Sequence, residues 1–413
     1  MIDDQYICEL HLHLDGSLSP ETVKYLAQLQ GIDLPVDMSF GGLSETEELR
    51  GTADEITANE ASGRYDSLKK LLSVSPDCRD LNEYLEKFSL PLSLLQTEDA
   101  ISYTVKSIGH AEEALGVDYV EIRFAPQLHT RKGLTQRQVI EAAADSAVFF
   151  NADNNTKIRL ILCCMRGDDN YDANLETVRL AAEFMHPTKI NKPTGTDADT
   201  VSDTEDSLAS IDHSENEDSL ANIDHSENED SLASIDHSEN EGAAYKKVYI
   251  PHVEGGLLPV IAGIDLAGAE ALYPTDKFSD IFHLARKLEV PFTIHAGEAA
   301  GPESIWSAIN MGAKRIGHGV AAIKDEKLMD YLAANGIVLE CCPTSNLNTK
   351  VFNDYVELPI REFLKRGIKA TISTDNMTVS NTTLSEEFRH LRDAGLTDDE
   401  YIQLIKNAEE GWL

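Results

Sequence analysis

Short apolar runs rich in β-branched residues recur along the chain, separated by amphipathic stretches of helical length. Eight can be counted: YICELHLHL (6–14), VDYVEIRFA (117–125), IRLILCCMR (158–166), VIAGIDLAG (260–268), VPFTIHAG (290–297), RIGHGV (315–320), GIVLECCP (336–343) and IKATISTDN (368–376). Helix punctuation lies between them. Ser19 supplies an N-cap, Pro20 a proline at the first helical position and Glu21 a first-turn acid for a helix closed near Gly31. Thr397 with Glu400 makes a capping box for another. Strands that alternate with helices imply parallel pairing, so the chain is predicted to be α/β, a closed (β/α)8 barrel of the TIM type. About 100 residues separate the first two runs, far more than one crossover helix requires. The excess, near 36–90, is expected to fold over the barrel mouth as a lid.

One region breaks the pattern: a twelve-residue unit, DSLASIDHSENE, repeats in tandem over 206–217, 218–229 (with Asn222 for Ser) and 230–241. Twelve is not a whole number of 3.6-residue turns, so its sparse Leu and Ile positions rotate around a helix instead of forming a face. With so little to bury and so much like charge, residues 187–247 are read as a disordered, low-complexity acidic insertion in a single barrel spanning 1–413. The repeated Asp-His pairs, such as Asp212 and His213, could take up divalent ions weakly, but nothing holds them in a fixed geometry.

Charge narrows the partners. The formal net charge is −37, of which −16 falls in residues 197–241, leaving −21 elsewhere. A chain of this sign repels phosphate backbones and anionic membrane surfaces, so neither nucleic acid nor membrane is expected as a partner. The first strand follows the N-terminus with no basic-then-apolar leader, and no apolar run approaches bilayer-spanning length, which points to the cytoplasm. Neighbouring residues on a strand face opposite ways, so the vicinal pairs Cys163-Cys164 and Cys341-Cys342 suit neither disulfides nor CxxC metal spacing.

The chemistry concentrates at the C-terminal ends of the strands, where barrel enzymes build their active sites. His11 and His13 end the first strand, Gly268 the fourth, His295 and Glu298 the fifth, His318 the sixth and Asp375 the eighth. Positions i and i+2 of a strand share a face, so His11 and His13 can turn two imidazoles toward one point on the barrel axis. Burying them without partners would be costly. A divalent metal removes that cost, with His295 and Asp375 completing a set of three nitrogens and one oxygen that favours zinc over magnesium.

The segments HLHLDGSLSPETV (11–23), VDYVEIRFAP (117–126), ILCCMRG (161–167), IDLAGAE (264–270), HAGE (295–298), RIGHGV (315–320) and STDN (373–376), in this order, resemble the adenosine deaminase family of the metal-dependent amidohydrolase superfamily. The resemblance implies hydrolytic deamination of adenosine and 2′-deoxyadenosine to inosine (or its deoxy form) and ammonia by a zinc-activated water. It implies one Zn2+ per chain on His11, His13, His295 and Asp375. Glu298 and His318 would be catalytic, Glu298 beside purine N1 and His318 beside the attacking water. The substrate would be bordered by His13, by Asp15 at the ribose, by the Gly268 amide at purine N3 and by Asn376 at N7. The family's usual pair of aspartates is here Asp375-Asn376, and since N7 is an acceptor, an amide donor preserves that contact without needing a protonated acid. The chain stops at GWL soon after its last predicted helix begins, where relatives continue further, so apolar surface on the outer ring is expected to be left uncovered.

Two alternatives stay open. Adenine or an adenosine nucleotide is the nearest rival substrate; the adenine-specific branch tends to carry Glu where Asp15 stands, and a 5′-phosphate would need a cationic partner near the lid. In another class altogether, the barrel would be catalytically inactive, with the acidic repeat as an interaction arm. The H-x-E and P-C-x-x-C signature of the polynucleotide-acting zinc deaminases is absent.

Overall fold

The protein is seen as a computed structural model that describes residues 5–34, 67–75, 77–185, 249–251 and 257–413. The insertion read at 187–247, and the part of the expected lid before residue 67, lie outside the described residues.

Eight strands carry the architecture: β1 Cys8–His13, β2 Tyr119–Phe124, β3 Lys157–Met165, β4 Ile261–Ala267, β5 Thr293–Ala296, β6 Arg315–His318, β7 Val338–Cys341 and β8 Lys369–Ile372. They pair in parallel as two four-stranded sheets, β1 to β4 in chain order and β5 to β8 likewise. Single parallel bridges close both seams, Leu12 with Asp375 and Ile264 with Phe292. At the first, His13 N donates to Asp375 O (2.7 Å) and Asp375 N to His11 O (2.8 Å); at the second, Ile264 N donates to Pro291 O (3.0 Å). A short antiparallel hairpin, Tyr249–Pro251 with Leu257–Pro259, precedes β4.

The helices end where the side chains dictate. Ser19 accepts from Thr22 N, and Gly31 closes the helix Pro20–Gln30 in the left-handed conformation at φ 64°. The Thr397 and Glu400 capping box is formed. That last helix is not barely begun, as the sequence suggested, but runs twelve residues, Asp398–Glu409. Beyond it Trp412 stacks on Tyr119 with ring centroids 3.9 Å apart, and Gly411 O accepts from Arg315 Nη1 (3.0 Å).

Strand alternation sorts the side chains into two populations. Leu12, Val120, Ile122, Leu160, Leu162, Ile264, Ile294, Ile316 and Leu339 join the main apolar core, together with helix residues such as Val105, Val139 and Val178. The interleaved positions are polar and meet one another inside the ring: Glu9, His11, Glu121, Arg123, Asp265, Thr293, Arg315 and Glu340 are all buried. Charges so deep persist only when paired and hydrogen-bonded.

Candidate active site

The four predicted ligands arrive from the ends of two strands, β1 (His11 and His13) and β5 (His295), and from the loop after β8 (Asp375). His11 Nε2 and His13 Nε2 each lie 3.4 Å from Asp375 Oδ1, and His13 Nε2 lies 3.3 Å from His295 Nε2. One ligand atom from each of the four lies within 4.8 Å of all the others. Gly317 makes room, since a Cβ there would stand 3.2 Å from His11 Cε1 and 3.1 Å from His295 Cα. Asp375 holds a left-handed backbone at φ 62° and His318 one at 58°, a sparsely used conformation for side-chain-bearing residues.

The next layer of residues fixes which ring nitrogens face the cluster. His11 Nδ1 lies 2.6 Å from Glu340 Oε2, and His295 Nδ1 lies 2.8 Å from Asp265 Oδ2. A carboxylate at Nδ1 keeps the proton there and turns the Nε2 lone pair inward. Arg123 spans the two carboxylates, donating from Nη1 to Asp265 Oδ2 (2.9 Å) and from Nη2 to Glu340 Oε2 (2.8 Å). Burial works against charge on Asp265 and Glu340, but His295 and Arg123 for the first, and Arg123 and Arg315 for the second, hold both well below the usual carboxylate range. Ser345 donates to Asp375 Oδ2 (2.5 Å), so Oδ1 is left to the imidazoles. Burial lowers the affinity of His13 and His295 for protons, which favours the neutral ligand form.

This arrangement fits a cation. His11 Nε2 is buried with no hydrogen-bond partner, and the Nε2 atoms of His13 and His295 meet 3.3 Å apart at the same point. Three nitrogens and a carboxylate oxygen are a donor set suited to zinc.

Above the cluster opens a cavity of about 210 Å³. Its polar wall includes His13, Asp15, Gly268, His295, Glu298, His318, Asp375 and Asn376, while Leu81, Tyr84, Leu85, Phe88 and Leu92 form an apolar wall opposite the strands. Every predicted site residue except His11, which lies beneath, borders this space. Glu298 Oε2 is 3.6 Å from His318 Nε2, and Asn346 Nδ2 lies 3.2 Å from His318 Nδ1 on the far side of the ring. Burial raises the Glu298 carboxyl above its ordinary value and pushes Asp15 up to about 6. Gly268 takes φ 105°, open to glycine at no steric cost.

With this geometry in view, the chain can be set beside known proteins. The sequence model described as adenosine deaminase matches residues 54–191 and 258–412. An adenosine deaminase from Haemophilus ducreyi is 37% identical over 404 residues, covering 97% of this chain and 90% of that protein. The chain belongs to the adenosine deaminase family. It is thus a member of a metal-dependent hydrolase family that acts on C–N bonds. Solved structures share the fold. An adenine deaminase from Arthrobacter aurescens superposes with a TM-score of 0.69 at 20% identity, covering 98% of this chain and 92% of that one. A zinc-bound amidohydrolase from Burkhoderia ambifaria gives 0.65 at 17% identity, over 99% and 86%.

Three features of this adenosine deaminase family member were missed in the sequence. The buried Arg123, Asp265 and Glu340 triad behind the imidazoles is one; its signal was charge at alternate positions of apolar strands, the logic already applied to His11 and His13. Glu270 is the second. It accepts from the backbone N–H groups of Gly297 (2.7 Å), Glu298 (3.0 Å), Ala299 (2.7 Å) and Ala300 (3.1 Å) and from Ser304 Oγ (2.5 Å), so one carboxylate clamps the loop that presents Glu298. No residue pattern announces a contact made through main-chain donors. The third is Tyr84, described below.

Proposed function

We propose that this protein is a zinc-dependent adenosine deaminase, hydrolysing adenosine and 2′-deoxyadenosine at purine C6 to the inosine product and ammonia. The observation that carries the reading is the meeting, in one cavity, of a four-residue metal-ligand cluster with the Glu298 and His318 pair. His11, His13, His295 and Asp375 would hold one zinc ion, which when bound supplies Lewis-acid activation of a water at neutral pH. The zinc found in the amidohydrolase of the same fold supports this choice of metal.

The remaining work falls to the chain's own side chains. Attack at C6 breaks the aromaticity of the ring, which becomes feasible if N1 gains a proton as the bond forms. Glu298, whose carboxyl is raised by burial, is the donor in its protonated form. His318, whose Nδ1 lies 3.2 Å from the Asn346 amide and whose Nε2 faces the cavity beside Glu298, accepts or steadies the proton that leaves the water. Ammonia then departs as the C6–N bond breaks, the amino group taking up the proton that left the water and the C6 hydroxyl giving its own back to Glu298, and the ring regains conjugation as the 6-oxo product. The Gly268 amide and the Asn376 side chain orient the base, Asp15 faces the ribose, and the apolar wall from 81–92 covers the purine and excludes water. We place the lid at 36–90 and treat 187–247 as an insertion outside the catalytic machinery. All six cysteines are free and buried, which suits a reducing compartment such as the cytoplasm.

Substrate choice follows from the walls. Among the described residues that line the cavity there is no Lys or Arg, so nothing there pairs with a 5′-phosphate. Asp15, buried on the cavity wall, leaves space and an acceptor for a sugar hydroxyl. The test is ammonia release by metal-loaded protein from adenosine, adenine and adenosine 5′-monophosphate. Turnover on adenosine should exceed both others; preference for adenine or the monophosphate would overturn the assignment, and no turnover by folded, metal-replete protein would favour the inactive barrel.

A further inference from the structure

Asn376, which follows the ligand Asp375 where the family usually has a second aspartate, is not free to rotate. Its side chain is buried on the cavity wall, and Nδ2 donates to the Tyr84 hydroxyl at 2.9 Å. That hydroxyl is anchored in turn, 2.7 Å from Ser380 Oγ on the loop beyond β8. On the other side, Asn376 Oδ1 presses against Gly16: a Cβ added there would stand only 1.7 Å from it, and Oδ1 itself is buried without a hydrogen-bond partner. The amide is therefore clamped, oxygen toward Gly16 and nitrogen toward Tyr84.

An amide nitrogen carries two hydrogens. Tyr84 engages one, which leaves the second as a donor on the cavity wall. A carboxylate at this position would instead accept from the tyrosine and offer the ligand no donor unless protonated.

We propose that Tyr84 is the positioning residue that makes Asn376 a dedicated hydrogen-bond donor to the acceptor nitrogen of the purine's five-membered ring. Since Tyr84 sits on the helix Leu81–Leu85, whose side chains form the apolar wall, base recognition is coupled to docking of that wall. The inference rests on the nucleoside reading above and adds to it a specificity determinant contributed by another segment of the chain, 292 residues away in sequence.

The test compares two ligands that differ only at that ring position, adenosine and 7-deazaadenosine, whose ring carries C–H there. With metal-loaded, full-length protein, Tyr84→Phe should weaken adenosine, read as KM and as kcat/KM, by about three- to tenfold, the range of one neutral hydrogen bond. The inhibition constant of 7-deazaadenosine should stay within about twofold, so that discrimination between the two ligands narrows. Asn376→Ala should narrow it as much, and Tyr84→Phe should add nothing further in the Asn376→Ala background. Ser380→Ala, which loosens the anchor without touching the cavity, should give a smaller change of the same sign. Equal weakening of both ligands by Tyr84→Phe, or of neither, would overturn the role of Tyr84 while leaving the nucleoside reading intact. Absence of adenosine turnover in the unmutated protein would overturn that reading and this inference together.

Discussion

Replacing Glu340 by glutamine places a donor where the barrel interior supplies only donors. The Glu340 carboxylate receives Arg123 Nη2 (2.8 Å) at Oε2, with His11 Nδ1 2.6 Å from the same oxygen, and Thr293 Oγ1 (2.8 Å) and Arg315 Nε at Oε1. The amide that takes its place can satisfy only one of these pairs. Turning its nitrogen toward His11 moves the imidazole proton to Nε2, which then can no longer serve as a ligand; turning it toward Arg315 opposes a guanidinium. Loss of such an outer carboxylate costs about 10- to 100-fold in metal affinity, or about 1.4 to 2.8 kcal/mol at about 1.4 kcal/mol per decade. Because all partners are buried, stability should also fall by about 3–5 kcal/mol, as when one member of a buried charge network is removed. Competition of folded Glu340→Gln protein against a zinc chelator, with the melting curve as control for folding, measures the first quantity. Folded variant that holds zinc as tightly as the parent would refute the claim that Glu340 sets the His11 tautomer.

Glu298→Gln should lower kcat by about 10²- to 10⁴-fold with metal content and KM nearly unchanged, measured by steady-state kinetics and metal analysis. Because the protonated acid is the active form, and burial raises its pKa, the parent's rate should fall on the alkaline side. Glu387 is fully buried, accepts from Thr344 N (3.1 Å) at Oε2 and is pushed up to about 7 from 4.5 by burial. A raised folded-state value means that its contribution is present below pH 4.5 and is lost as pH rises through 7. Glu387→Gln, which stays neutral, should therefore melt close to the parent at pH 5 and become more stable by about 3 kcal/mol at pH 8; equal pH dependence of the two melting temperatures would contradict this. Deleting residues 197–241 should leave adenosine turnover unchanged, and a large loss would mean that the insertion contributes to the lid or to assembly.

The barrel was legible because its strands are short runs rich in apolar and β-branched residues, and several connecting helices carry local end signals, as at Ser19, Gly31 and Thr397. The meeting of His11, His13, His295 and Asp375 was legible for a related reason: His11 and His13 stand out as paired polar groups in a buried strand, and strand ends in this fold converge. What escaped depends on pairing across the ring. Arg123 meets Glu340 across 217 residues and Asp265 across 142, and in isolation each could equally be a solvent-facing charge. Glu270 acts on backbone N–H groups, which every residue carries. Tyr84 and Asn376 find each other only after the segment 81–94 has docked on the barrel, a tertiary event with no local trace. The last helix was underestimated in length: it runs twelve residues, Asp398–Glu409, and Trp412 beyond it stacks on Tyr119.

The central claim is that His11, His13, His295 and Asp375 together hold the ion on which deamination depends. Its most direct measurement is ammonia release from adenosine by chelator-stripped protein titrated with zinc, run beside Asp375→Ala. Turnover should be absent without metal, should recover fully at one equivalent per chain, and should not recover in Asp375→Ala at that equivalence point. Undiminished activity in metal-free protein, or Asp375→Ala that binds zinc and turns over like the parent, would contradict it.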